Sequence, residues 1–199
     1  MFDIKEMIRK HQTWYKAWEG GFSSFVPLSP ADFRHFRLDE EDLSKVELPY
    51  ANFANASMRK ANLNKGNFEH CDFIGTNMEH AILEGGKFRF ANFINANLFG
   101  AVFYGADCRS ADFRGADLRY TYFLGADIRG AHFEGANVSG SDIKEIMIVP
   151  GDLHNMKLSI EDIYYLLNRI LEVECADDCA EYEKIRNFLK ENIRRGYKC

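Results

Sequence analysis

The sequence predicts an all-β solenoid, four-sided and capped by helices at both ends, and three observations predict it. Every fifth residue from Leu48 to Ile143 is apolar. The residue two places before each, from Ala51 to Ser141, is always Ala, Gly, Cys, Thr or Ser. Finally, the aromatics recur at a longer spacing of 20 residues: Phe53, Phe73, Phe93, Phe113 and Phe133 form one series, while Met58, Met78, Leu98, Leu118 and Val138 form another with no ring in it.

A period of five fits neither the 3.6 of a helix nor the 2.0 of a strand. It describes a chain that turns inward twice per unit, once with a large residue and once with a small one. If each unit makes roughly a quarter turn, four units close a coil of 20 residues, and stacked coils align the Phe series. The 17 Phe against 2 Trp suit such an interior, because a Phe ring needs no hydrogen-bond partner.

These residues resemble the pentapeptide repeat family. Segments such as Ala116-Asp117-Leu118-Arg119-Tyr120, Ala111-Asp112-Phe113-Arg114-Gly115 and Ala96-Asn97-Leu98-Phe99-Gly100 look like its unit of Ala, Asp or Asn, Leu or Phe and two variable residues. The resemblance implies a right-handed quadrilateral β-helix over residues 46–145, about five coils. His11-Gln12-Thr13-Trp14, followed by Gly20-Gly21, also resembles the lead-in to such repeats.

The ends of a solenoid expose backbone and core and need covers. Residues 1–21 place Ile4, Met7, Ile8, His11, Trp14, Tyr15 and Trp18 at helical spacing, which predicts a capping helix ended by glycine. A helix lying on a membrane is the alternative, weakened by Asp3 and Glu6 on its polar side. Residues 22–45 keep the period through Leu28, Phe33, Leu38 and Leu43, but Phe36 and Glu41 stand where small residues belong, so a degenerate first coil is expected. In residues 146–199 the repeat fails. Ser159 and Asp162 resemble a capping box, and two apolar stripes follow, Ile163 to Leu171 and Tyr182 to Ile193. They predict a two-helix C-terminal cap, through which a homodimer could form, as the resemblance suggests.

The bulk numbers narrow the function. The net charge of −5 gives no basic footprint for direct nucleic-acid binding. No stretch approaches the roughly 18–20 apolar residues of a membrane span, so no membrane role is expected. Charged residues run through the first ten positions where a secretory signal would be apolar, which makes a cytoplasmic location the expectation. The 5 Cys fit no disulfide framework.

No catalytic constellation emerges. Neither a phosphate-binding glycine loop nor a nucleophile elbow appears. His70 and His80 lie ten residues apart, hence on opposite sides of a four-sided coil, and cannot share an ion. Cys175 and Cys179 supply only two soft ligands. Asp107, Asp112, Asp117 and Asp127 recur with the repeat and read as solvated or backbone-bonding side chains. No enzyme, cofactor or metal is therefore expected.

Function must lie on the outer surface. Just before the large residue, where most units carry Asp or Asn, one column runs Asn62, Ile82, Val102, Tyr122, Asp142. Together with Phe99, Tyr104 and Leu124 it predicts an apolar contact surface of Ile82, Phe99, Val102, Tyr104, Tyr122 and Leu124. A second column, Glu69, Arg89, Arg109, Arg129, stacks like charges, and pairing with neighbouring Asp is the favoured reading. The expectation is an interaction or scaffold module with an unknown protein partner. The alternative, implied by the resemblance, is a mimic of DNA that binds DNA gyrase or topoisomerase IV. Residues 46–145 carry 12 acidic and 10 basic residues, a weak field for that role.

Overall fold

The computed structural model describes residues 3–20 and 30–142, and the lone position 187. The predicted C-terminal helices, Cys175, Cys179 and the first eight residues of the expected degenerate coil lie outside the described residues.

From residue 32 to residue 142, parallel β-bridges join every fifth residue, the one before each large residue, to the residue 20 further on, from Asp32 to Asn52 through to Tyr122 with Asp142. A turn follows each large residue. The solenoid thus has four faces, named here by one central residue each: in chain order the Phe88, Phe93, Leu98 and Phe103 faces.

One unit shows how the five residues account for five backbone donors, as a buried ladder must. The Phe93 N–H donates to Asp112 in the coil above at 2.7 Å, and the Asn95 N–H to Arg114 at 2.9 Å. The Asn92 N–H donates to Cys71 in the coil below at 2.9 Å, and the Ala96 N–H closes the turn onto Phe93 at 3.0 Å. The fifth donor, on Ile94, is met by the Asn92 side chain at 3.1 Å. This explains Asn or Asp before the large residue: its side chain caps the N–H two residues on. The turn itself puts every fifth residue from His35 to Gly140 at positive φ, glycine or not. The bend therefore falls on the two residues after the large one, and the small residue closes it.

The large residues fill the interior. Phe33, Phe53, Phe73, Phe93, Phe113 and Phe133 stack with centroids 4.8–5.1 Å apart and rings within 11° of parallel. Shorter stacks join Phe68 with Phe88 and Phe103 with Phe123. Polar substitutes at the small position bond inward: Cys71 Sγ and Thr76 Oγ1 donate to the carbonyls of Leu48 and Phe53. Burial pushes the Cys71 and Cys108 thiols up, so both are packing residues.

The first coil is more regular than its sequence suggests. From residue 30 onward the turns and bridges keep register, and Phe33, Leu38 and Leu43 are fully buried. Phe36 and Glu41 are accommodated because their N–H groups still close the turns onto Phe33 and Leu38.

Helix α1 (Ile4–Glu19) lies against the first coil. Asp3 caps it by accepting from the Lys5 N–H at 3.0 Å. Ile4, Met7 and Ile8 pack on the core, and His11 is buried with Nδ1 accepting the Ala31 N–H at 2.9 Å. Among the described residues, no helix is long and apolar enough to cross a membrane.

Candidate interaction faces

The interior is filled, so the outer columns hold the chemistry. On the Phe103 face, β-bridges join Asn62 to Ile82, Ile82 to Val102, Val102 to Tyr122 and Tyr122 to Asp142. Tyr104 and Leu124 form the adjoining column, and Tyr104 packs edge-on to Tyr122 at 5.9 Å. Ile82, Tyr122 and Leu124 are 38%, 44% and 41% exposed, while Val102 and Tyr104 are half-buried. The structure therefore brings five of the six predicted contact residues onto one face. Phe99 sits round the corner on the Leu98 face. There it meets Tyr120 at 5.4 Å and His80 at 5.7 Å, under the Arg119 guanidinium.

This face gives up part of the repeat's backbone economy. Without Asn or Asp at 102 and 122, the Tyr104 and Leu124 N–H groups find no acceptor among the described residues. The Glu84 N–H is rescued from the coil below by Asn64 at 3.1 Å.

Elsewhere the Asp residues are engaged twice over. Asp32, Asp107, Asp112, Asp117 and Asp127 each cap the backbone N–H of the Arg two residues on, and each forks its guanidinium, with Nη2 contacts of 2.6–2.7 Å. Hydrogen bonds from these arginines hold Asp107, Asp117 and Asp127 below the usual carboxylate range. The expected pairing thus holds for Arg109 and Arg129 but not for Arg89, whose place two residues back is taken by Lys87.

A feature that the sequence reading missed runs along the edge between the Phe88 and Phe93 faces. Trp18 packs edge-on against Tyr50, Tyr50 stacks on His70 at 4.7 Å, and His70 stacks on Phe90 at 4.9 Å. Trp18 and Phe90 are 43% and 48% exposed. Reading every twentieth residue at the turn position, Tyr50, His70, Phe90, would have found it. His70 is a ring in this stack, whereas His80 lies at the opposite edge. Among the described residues no group of three or more His, Cys, Asp or Glu could hold a metal ion.

The sequence matches the family described as pentapeptide repeats over residues 28–64, 51–89, 67–100, 82–119 and 106–144. The chain belongs to the pentapeptide repeat family. Among solved structures, this pentapeptide repeat protein is similar to HetL, a pentapeptide repeat protein involved in heterocyst differentiation regulation from the cyanobacterium Nostoc sp. strain PCC 7120. The identity is 21% and the TM-score 0.61, with 78% of this chain and 64% of HetL covered. It thus spans under two thirds of HetL's length. A pentapeptide repeat protein of the Arabidopsis thaliana thylakoid lumen shares 22% identity, with a TM-score of 0.39 and coverage of 59% of this chain and 71% of that one. QnrB1, a plasmid-mediated fluoroquinolone resistance protein, shares 20%, with a TM-score of 0.38 and coverage of 73% and 89%. No curated protein sequence matches the chain. The fold is a right-handed β-helical solenoid.

Proposed function

We propose that this pentapeptide repeat protein is a non-enzymatic interaction module that docks a protein partner on the Phe103 face. The observation that carries the reading is the loss of two backbone caps there. Asn or Asp at 102 and 122 would satisfy the Tyr104 and Leu124 N–H groups, yet Val102 and Tyr122 stand in their place and enlarge an exposed apolar surface. Stability given up locally for exposed aromatic area fits a contact surface, where Tyr side chains dominate binding energy. The DNA-mimic alternative draws less support, because residues 46–145 carry 12 acidic against 10 basic residues and five Asp of the solenoid are each paired with an arginine.

The test restores the repeat. Val102→Asn with Tyr122→Asn rebuilds both caps and adds no charge beside Asp142. The double variant should melt at or above the wild-type temperature and lose association, measured by sedimentation and by capture of partners from native lysate. A variant that keeps every partner and its oligomeric state overturns the assignment of this face.

A further inference from the structure

Of the seven arginines that stand just after a large residue, Arg59 is served by Asp39 and Glu79 of the neighbouring coils, and five share one environment. Each finds an Asp two residues earlier that accepts three donors at once: the arginine's own backbone N–H at 3.1–3.3 Å, its Nε at 2.8–2.9 Å and its Nη2 at 2.6–2.7 Å. Arg89 occupies the same place in its unit, but the residue two before it is Lys87. The slot that holds a carboxylate five times holds a cation here.

The consequences show in the geometry. Arg89 Nε is buried without a hydrogen-bond partner. Its backbone N–H also lacks an acceptor, and neither Arg89 nor Lys87 forms an ion pair among the described residues. The guanidinium instead lies over the ring of Phe90, 5.7 Å from its centroid. Arg109, directly above, is committed to Asp107 and Asp127. Glu69, directly below, has its N–H capped by Asn67, and its carboxylate makes no ion pair among the described residues. Lys87 also borders a groove between α1 and the Phe88 face whose other walls carry Glu19, Glu47 and Glu69, so the cationic site lies on the Arg89 side of Lys87 and not in the groove.

We infer that Lys87 and Arg89 form a carboxylate-binding site on the Phe88 face, filled by an Asp or Glu side chain of an acidic partner segment. The repeat defines the ligand: a carboxylate in this slot takes the donors that the other five arginines place on their own Asp. On binding, the guanidinium turns from Phe90 into the forked geometry it has elsewhere, with Lys87 adding a second cation. Buried donors left unmet in the free protein gain most from being met. The uncovered Phe90 ring, at the end of the aromatic edge, then offers apolar contact to the neighbouring residues of the segment, which favours a polypeptide over a free anion. This site is independent of the Phe103 face and can stand or fall alone.

The experiment uses fluorescence anisotropy of a labelled Glu-Glu-Phe-Glu-Glu peptide on the full chain at low ionic strength. Lys87→Asp supplies the slot with an internal carboxylate, so it should fold with an unchanged or higher melting temperature and weaken peptide binding at least tenfold. Arg89→Gln should weaken it similarly. Lys60→Asp, with the same charge change on the opposite edge, should leave binding within about twofold, as expected when exposed charges are screened over such distances. The Gln-Gln-Phe-Gln-Gln counterpart should not bind, and inorganic phosphate should compete poorly. Undetectable peptide binding to the wild type overturns the inference. So does equal binding by wild type and Lys87→Asp, or an equal loss with Lys60→Asp, which would mark a diffuse charge effect. Efficient competition by phosphate would mark a general anion site and overturn the polypeptide assignment.

Discussion

At the scale of single residues, position within the pentapeptide decides what a substitution does. Phe93 is fully buried between Phe73 and Phe113, each 4.9 Å away. Phe93→Ala should cost about 3–5 kcal/mol in thermal or denaturant melts, as for other buried Phe. Arg114, half-exposed and paired with Asp112, should change stability by no more than about 0.5 kcal/mol when replaced by Ala. The turn glycines separate two effects. Gly105 has φ +60 and open space around it, so Gly105→Ala carries only the left-handed penalty of about 1–2 kcal/mol. Gly100 has φ +66, and an added methyl there would land on the His80 imidazole. Gly100→Ala should therefore melt below Gly105→Ala, and equal melting temperatures would mean that His80 does not cover the turn. The inward residues were legible from sequence because burial imposes one strict period. A backbone-bonding role for the recurring Asp was readable too, but not which N–H is capped, since that depends on the donor the turn leaves unmet.

At the scale of elements, α1 is tied to the first coil by a group that titrates. His11 Nδ1 accepts the Ala31 N–H, and Nε2 faces the Pro49 carbonyl without closing a hydrogen bond. Burial lowers the imidazole pKa to about 4 from the ordinary 6.5. The undocked helix therefore binds the proton more readily than the docked one. Docking is fullest above about pH 6.5 and weakens as pH falls toward about 4, because the proton must go to the atom that accepts from Ala31. Both Trp of the chain, Trp14 and Trp18, lie on α1 and report it. Wild-type tryptophan fluorescence should shift across that window, and His11→Gln should lack the step. A shift of the same size in both would place its origin elsewhere. The helix was readable from its amphipathic spacing and glycine end, but not this link, because nothing local marks a buried histidine as an acceptor for a residue 20 positions on. In the first coil the repeat is degenerate in residue type at Phe36 and Glu41, yet the backbone keeps register from residue 30 onward, because the turn needs only their N–H groups.

At the scale of the whole molecule, the solenoid divides its labour between inside and outside. The interior columns fix register and leave the outer columns free to differ from face to face: apolar around Val102, charge-paired along Asp107 to Arg129, aromatic along Tyr50 to Phe90. That division could be read from sequence wherever an outer column departs from its own repeat, as at Ile82, Val102 and Tyr122. It was missed at Lys87, where the departure matters only through the five arginines that share its geometry. Everything rests on the 20-residue register, and two insertions after Asn95 test it directly. Duplicating residues 76–95 adds one whole coil. It should preserve a single cooperative melt near the wild-type temperature and keep Ile82, Val102 and Tyr122 on one face, with partner binding intact. Duplicating residues 91–95 adds one unit, which turns every later residue onto the next face. It breaks the Phe93 stack and moves Val102 above Lys87, so the melting temperature should fall and binding to the Phe103 face should be lost. Two insertions that melt alike and bind alike would contradict the account.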